Sequence, residues 1–144
     1  IYFQALGPEG FTRSRDGAWP NTALNYGYAI LRAAAARALV GSGLLCIKGI
    51  HHHNRYNHFA LADDIMEPYR IFVDQYIFGK VRPFDVPSTE VTREMKARLL
   101  QMLTCDVGLG EYKRPLMIAL TYTSASLAKY YKGETDKLLL PEMT

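Results

Sequence analysis

Cysteine is scarce in this chain, and long hydrophobic runs are missing from it. Only Cys46 and Cys105 occur among 144 residues, and neither belongs to a CxxC pair, which argues against a disulfide framework or a zinc knuckle. No uninterrupted apolar run approaches the ~20 residues that a membrane-spanning helix requires, and no secretory signal pattern opens the sequence. The sequence therefore predicts a cytoplasmic protein without a membrane partner.

An excess of one charge is also missing. Seventeen Lys and Arg face fourteen Asp and Glu, which gives a net charge of +3. This mild excess permits binding to a polyanion without demonstrating it. The sequence has no GxxxxGK[ST] phosphate loop. It also has no Ser-His-Asp or Cys-His arrangement that would indicate an enzyme with a serine or cysteine nucleophile.

Helical periodicity is the main pattern that the sequence does contain. The clearest apolar stripe consists of Leu24, Tyr28, Leu31, Ala35, Ala38 and Leu39. Asn21 is a favourable N-cap in front of this stripe, and Gly41-Ser42-Gly43 is expected to end the helix.

Three more helices are expected downstream. One extends over residues 59–78, bent or divided by Pro68, which has no backbone N–H. Another is capped by Ser88, and the last has Pro115 as its first residue. Between these two, residues 106–112 are expected to form a turn or a short hairpin.

Composition indicates one compact domain. The chain is 49% hydrophobic and 22% charged, as is typical of globular proteins of this length. The predicted fold class is all-α, with residues 1–144 forming a single, mainly helical domain.

The histidines are concentrated in one place. All four lie in residues 51–58, directly before an acidic segment. If that segment is helical, Asp64 and Glu67 project from one face, while Asp63 points elsewhere. An imidazole with two or three carboxylates suits Mn²⁺ or Mg²⁺. A solvated loop beside a capped helix is the alternative interpretation of the same residues.

Several short motifs give this segment a more specific meaning. They are Asn21-Thr22-Ala23-Leu24-Asn25-Tyr26-Gly27-Tyr28, Gly49-Ile50-His51-His52, Arg55-Tyr56-Asn57 and the run from Leu61 to Arg70. In this order they resemble the signature of the CRISPR adaptation integrase, a DNA endonuclease that inserts new spacers into CRISPR arrays as part of antiviral defence. The resemblance is strongest to the version that accompanies type II systems.

The resemblance implies a set of metal ligands. His52 and Glu67 match two ligands of the family, and Asp64 matches a supporting acidic position, so these three are the expected catalytic residues, with Mg²⁺ or Mn²⁺ as the cofactor. The family's third ligand is a Glu upstream of the motifs present here. The chain therefore resembles a C-terminal catalytic helical domain without the family's N-terminal β-domain, and it is expected to be nearly inactive by itself.

The resemblance also implies a reaction and partners. In the family, a DNA 3′-OH attacks a phosphodiester of the CRISPR repeat, and the full-length protein forms a homodimer that works with a small CRISPR adaptation subunit and, in type II systems, other CRISPR proteins. Arg13, Arg55 and Arg70 are the expected DNA contacts, and an ion pair of Arg70 with Glu67 or Asp74 is the alternative. A helical module that binds nucleic acid or a partner, with a structural His-rich loop, is the second functional interpretation.

Overall fold

The structure, a computed structural model, describes residues 21–45, 59–81 and 92–142. Its long helix α1 (Asn21–Gly41) contacts each of the four other helices in these ranges. Five members of the predicted apolar stripe are buried, and Tyr28 is half-buried and packs against them. As predicted, the helix ends at a glycine turn, where Gly43 has a positive φ of 78° and the Leu44 amide donates to the Leu39 carbonyl.

Pro68 divides the second helical segment, as predicted. Helix α2 (Ala60–Met66) is followed by a single 3₁₀ turn (Glu67–Tyr69) and then by α3 (Arg70–Lys80). Because proline cannot donate a backbone hydrogen bond, the regular helical ladder is interrupted at this position.

The remaining elements confirm the helical fold class and correct two helix starts. Helix α4 (Arg93–Gln101) begins later than predicted, since the Thr92 hydroxyl accepts from the Met95 amide and Thr92, not Ser88, is its N-cap. A 3₁₀ turn (Met102–Thr104) leads into an antiparallel hairpin of β1 (Asp106–Leu109) and β2 (Tyr112–Pro115). Pro115 is the N-cap of α5 (Leu116–Tyr131) and not its first residue.

A close approach joins α1 to α3. Gly27 is buried, and a Cβ atom added to it would lie 2.9 Å from Val73 Cγ1 and 3.0 Å from Ile77 Cδ1. The two helices therefore touch across a position that only glycine fills without displacing its neighbours.

Residues 134–142 form an irregular segment, here called the strap, that returns along α5. The Glu142 amide donates to the Gly108 carbonyl of β1, and the side chains of Leu138 and Leu139 pack against the core. Within the three described ranges, no helix is long and apolar enough to cross a membrane.

Tyr69 links the 3₁₀ turn to α5 from inside the core. Its side chain is fully buried, and its hydroxyl lies 2.6 Å from the Thr123 hydroxyl. Burial disfavours a phenolate and raises the pKa of Tyr69 from 10.0 to about 12.

This burial predicts a loss of stability at high pH. The pKa of Tyr69 is higher in the folded chain than in the unfolded chain. Its contribution to the free energy of unfolding is therefore complete below pH 10 and is lost as the pH rises toward 12. The free energy of unfolding should fall by about 2 kcal/mol more in the unmodified chain than in Tyr69→Phe between pH ~9 and ~11.5. Denaturant titrations of both proteins measure the difference, and because both share the other titrating groups, parallel curves would contradict the prediction.

Candidate active site

The structure describes three of the six predicted site residues. Asp64, Glu67 and Arg70 lie on or beside the 3₁₀ turn that separates α2 from α3. His52, Arg13 and Arg55 lie outside the described residues, so their roles stay predictions.

Glu67 is the first residue of the 3₁₀ turn, and its side chain is 51% exposed. Its Oε1 lies 3.2 Å from Arg70 Nε, so the ion pair of Arg70 with Glu67 is present. The Arg70 guanidinium also lies over the Tyr28 ring, 5.0 Å from the ring centroid. Asp64 is half-buried in the last part of α2.

Asp74, the other carboxylate considered for Arg70, contacts α1. The Tyr28 hydroxyl of α1 donates a hydrogen bond to its Oδ1. Asp74 is only 2% exposed, and burial of a carboxylate requires such partners. Tyr28 of α1 therefore contacts two residues of α3, with its ring under Arg70 and its hydroxyl bonded to Asp74.

Asp63 faces α1 and forms a two-point ion pair there. Arg32 Nε lies 2.9 Å from Asp63 Oδ1, and Arg32 Nη2 donates to Asp63 Oδ2 at 3.1 Å. The Nη2 contact is a charge-assisted hydrogen bond, and the Nε contact adds electrostatic attraction between the two side chains. The Arg32 guanidinium also lies 4.7 Å from the centroid of the Phe59 ring.

These contacts form a polar boundary between α1 and the α2–α3 segment, with one group of contacts around Tyr28 and another around Arg32. We call it the paired seam, and it consists of Tyr28, Arg32, Asp63, Glu67, Arg70 and Asp74. Three carboxylates face two guanidinium groups in the seam, and Glu67 is the carboxylate that lies on its exposed side. Glu67 presents an anionic oxygen to solvent although it is paired with Arg70, while Asp63 is paired with Arg32 and Asp74 accepts from Tyr28.

Sequence patterns did not identify the α1 half of the seam. Arg32 and Arg37 are the only charged residues in the 21 residues of α1. Tyr28 and Arg32 stand four apart, which places them on one helix face, as Asp63 and Glu67 also stand four apart. The available signal was the presence of two arginines in a helix that has no other charged residue.

The donor chemistry of the described residues fits a hard divalent cation only in part. Glu67 and Asp64 supply carboxylate oxygens, which Mn²⁺ and Mg²⁺ prefer. Among residues 21–45, 59–81 and 92–142, no cluster of three His, Cys, Asp or Glu forms a metal site. A complete ligand set therefore requires the predicted His52 or another residue beyond these ranges.

Comparison with known proteins gives these residues a family context. The family described as CRISPR associated protein Cas1 matches residues 11–107. The CRISPR-associated endonuclease Cas1 of Neisseria meningitidis serogroup C (strain 8013) is 36% identical over 147 residues, covering 99% of this chain and 47% of that protein. An endonuclease Cas1 of Francisella tularensis subsp. novicida is 33% identical over 57% of this chain and 28% of that protein. The chain thus spans less than half the length of these relatives.

Solved structures agree at the level of the fold. A casposase bound to an integration product superposes with a TM-score of 0.76 at 21% identity, covering 96% of this chain and 45% of the casposase. A chain of a Cas6-RT-Cas1–Cas2 complex gives a TM-score of 0.69 at 25% identity, covering 99% of this chain and 18% of that chain. The helical arrangement around the paired seam is therefore shared with larger proteins.

Proposed function

The chain belongs to the Cas1 family of CRISPR-associated proteins, and from this premise we propose that it is the catalytic helical part of a metal-dependent DNA endonuclease and integrase. The observation that carries the proposal is the position of Glu67. Its carboxylate is exposed at the turn imposed by Pro68, at the edge of the paired seam and inside the range matched by the family.

The proposed site combines described and predicted residues. Glu67 and His52 would hold Mg²⁺ or Mn²⁺, with Asp64 in support. A bound divalent cation polarises the phosphodiester and lowers the pKa of a coordinated hydroxyl, so that attack occurs near neutral pH. Arg70, stacked on Tyr28 and adjacent to Glu67, is placed to contact a phosphate oxygen, as are Arg13 and Arg55 by prediction.

The proposed reaction exchanges one phosphodiester for another. The 3′-oxygen of the incoming DNA forms a bond to phosphorus as the bond to the 3′-oxygen of the repeat strand breaks. The attacking hydroxyl loses its proton and the departing oxygen gains one, so no nucleotide cofactor is consumed. The proposed partners are spacer-precursor DNA, the CRISPR repeat, a second copy of the full-length chain and a small adaptation subunit. The integration product bound by the similar casposase supports the DNA substrates, and the complex that contains Cas1 and Cas2 supports the small subunit.

The test is metal-dependent cleavage and joining of branched DNA by the full-length protein. With Mn²⁺, Glu67→Gln should lower the rate by on the order of 100-fold, since weakening the outer shell of a metal site alone costs 10–100-fold. Glu111→Gln is the matched control, because Glu111 is an exposed acid in the hairpin turn, and it should stay within about twofold.

Two outcomes would contradict the proposal. Cleavage that persists in EDTA would refute the metal dependence of the reaction. Equal rates for the two glutamine variants would refute the role of Glu67 as a metal ligand. DNA binding without cleavage in any divalent cation would instead favour the helical binding module with a structural His-rich loop.

A further inference from the structure

The turn that presents Glu67 has little local support. Pro68 has no N–H to donate to the preceding turn of helix, and the 3₁₀ turn has no side-chain cap. The Arg70 amide donates to the Glu67 carbonyl across the turn, and single 3₁₀ turns have poorer hydrogen-bond geometry than an α-helix. Apart from the ion pair with Arg70, the direction of the Glu67 side chain therefore depends on tertiary contacts.

Tyr69 supplies the tertiary contact through an ordered relay of hydroxyl groups. The Thr123 hydroxyl donates to the Leu139 carbonyl of the strap at 2.7 Å. A hydroxyl has one proton, so Thr123 must accept its second hydrogen bond, and the Tyr69 hydroxyl, 2.6 Å away, is the donor. The relay runs in one direction, from the 3₁₀ turn through α5 to the strap.

Ser126 provides a second hydrogen-bonded connection between α5 and the strap. The Leu139 amide donates to Ser126 Oγ at 2.9 Å, and Ser126 Oγ donates to the Thr123 carbonyl at 2.7 Å. Both polar backbone groups of Leu139 are thus bonded to α5. The Leu139 carbonyl that accepts the hydrogen bond from Thr123 is therefore fixed in place. This position determines the direction in which the hydroxyl groups donate.

We propose that Thr123 is a positioning residue that sets the orientation of Glu67 by anchoring Tyr69. Tyr69 is fully buried whereas Glu67, two residues earlier on the same short turn, is exposed. A rotation that freed the Tyr69 ring would turn the Glu67 carboxylate with it, and a displacement of about 1 Å at a reacting centre is enough to cost 100-fold in rate. This inference rests on the proposed role of Glu67 as a metal ligand.

Four variants of the full-length protein separate positioning from general stability. Thr123→Val removes the hydroxyl with little change of shape, and Thr123→Ser restores it. Tyr69→Phe removes the donor and leaves the bond between Thr123 and the strap. Leu127→Ala is the control, because Leu127 is buried in the same helix and contributes no atom to the relay.

Two measurements are made well below the unfolding temperature of every variant. In calorimetric titration with Mn²⁺, Thr123→Val and Tyr69→Phe should bind about tenfold more weakly, with Thr123→Ser within about twofold and Leu127→Ala unchanged. Without metal, the Arg70 amide should exchange with solvent about tenfold faster in Thr123→Val, relative to the Leu120 amide in the same sample. Leu127→Ala should leave that ratio unchanged.

The two measurements distinguish this inference from the proposed function. Glu67→Gln is titrated in parallel, and an unchanged Mn²⁺ affinity would refute the ligand role and with it any positioning of a ligand. If Glu67→Gln does weaken binding while Thr123→Val does not, only the positioning role is overturned. An unchanged Arg70 exchange ratio in Thr123→Val overturns it in every case.

Discussion

Gly27→Val is expected to lower the free energy of unfolding by about 3 kcal/mol, the upper part of the range for overpacked cores. The first added carbon would already lie 2.9 Å from Val73 Cγ1, and Val73 is a stiff β-branched residue. Helices α1 and α3 must therefore separate, or Val73 and Ile77 must leave their preferred rotamers. Urea denaturation monitored by circular dichroism measures the loss.

Gly79→Val is the matched control for this prediction. Gly79 also lies inside a helix, α3, but a Cβ atom there would meet no heavy atom within 4 Å. Valine forms helices better than glycine by several tenths of a kcal/mol, so this variant should be neutral or slightly stabilised. Equal losses for the two variants would show that the close α1–α3 contact is not the cause.

Leu31→Ala, as a separate variant, is expected to lower the free energy of unfolding by about 3 kcal/mol. Leu31 is fully buried at the middle of α1, which contacts every other helix in the described part of the chain, so the neighbouring helices cannot easily close the cavity. For a chain of this length the unfolding temperature should fall by about 10 °C. Val40→Ala in the same helix removes a side chain that is 67% exposed and should change it by less than about 2 °C. Similar shifts for the two would contradict α1 as the centre of the core.

Local signals were sufficient where one residue decides the backbone. Pro68 divides the second helical segment because its ring excludes one hydrogen bond, and Gly43 ends α1 because it adopts a positive φ. The N-cap of α4 was different. Ser88 and Thr92 are both good caps, and propensity does not choose between them. In the structure, α4 begins after Thr92, and Met95 and Leu99 are buried on one of its faces.

The sequence predicted the part of the candidate site that lies in residues 61–70, but not the part that lies in α1. Glu67 and its pairing with Arg70 follow from a spacing of three residues. Asp74 was an equally good partner for Arg70 by spacing, and its hydrogen bond with Tyr28, 46 residues away, was not predictable from spacing. The pairing of Arg32 with Asp63 spans 31 residues. Contacts at such separations depend on how helices pack, which periodicity does not encode.

The relay from Tyr69 to the strap sets an order of events during protein synthesis. Thr123 follows Tyr69 by 54 residues, and Leu139 follows Thr123 by 16. At 5–20 residues per second, the ribosome adds Thr123 about 3–10 s after Tyr69. In that interval α1, α2 and α3 can already associate, and the turn bearing Glu67 is held by its ion pair with Arg70 and by the contact of Arg70 with Tyr28, but the Tyr69 hydroxyl does not yet have its acceptor in α5. A nascent chain therefore carries Asp64 and Glu67 before Thr123 is available to anchor the turn beside them.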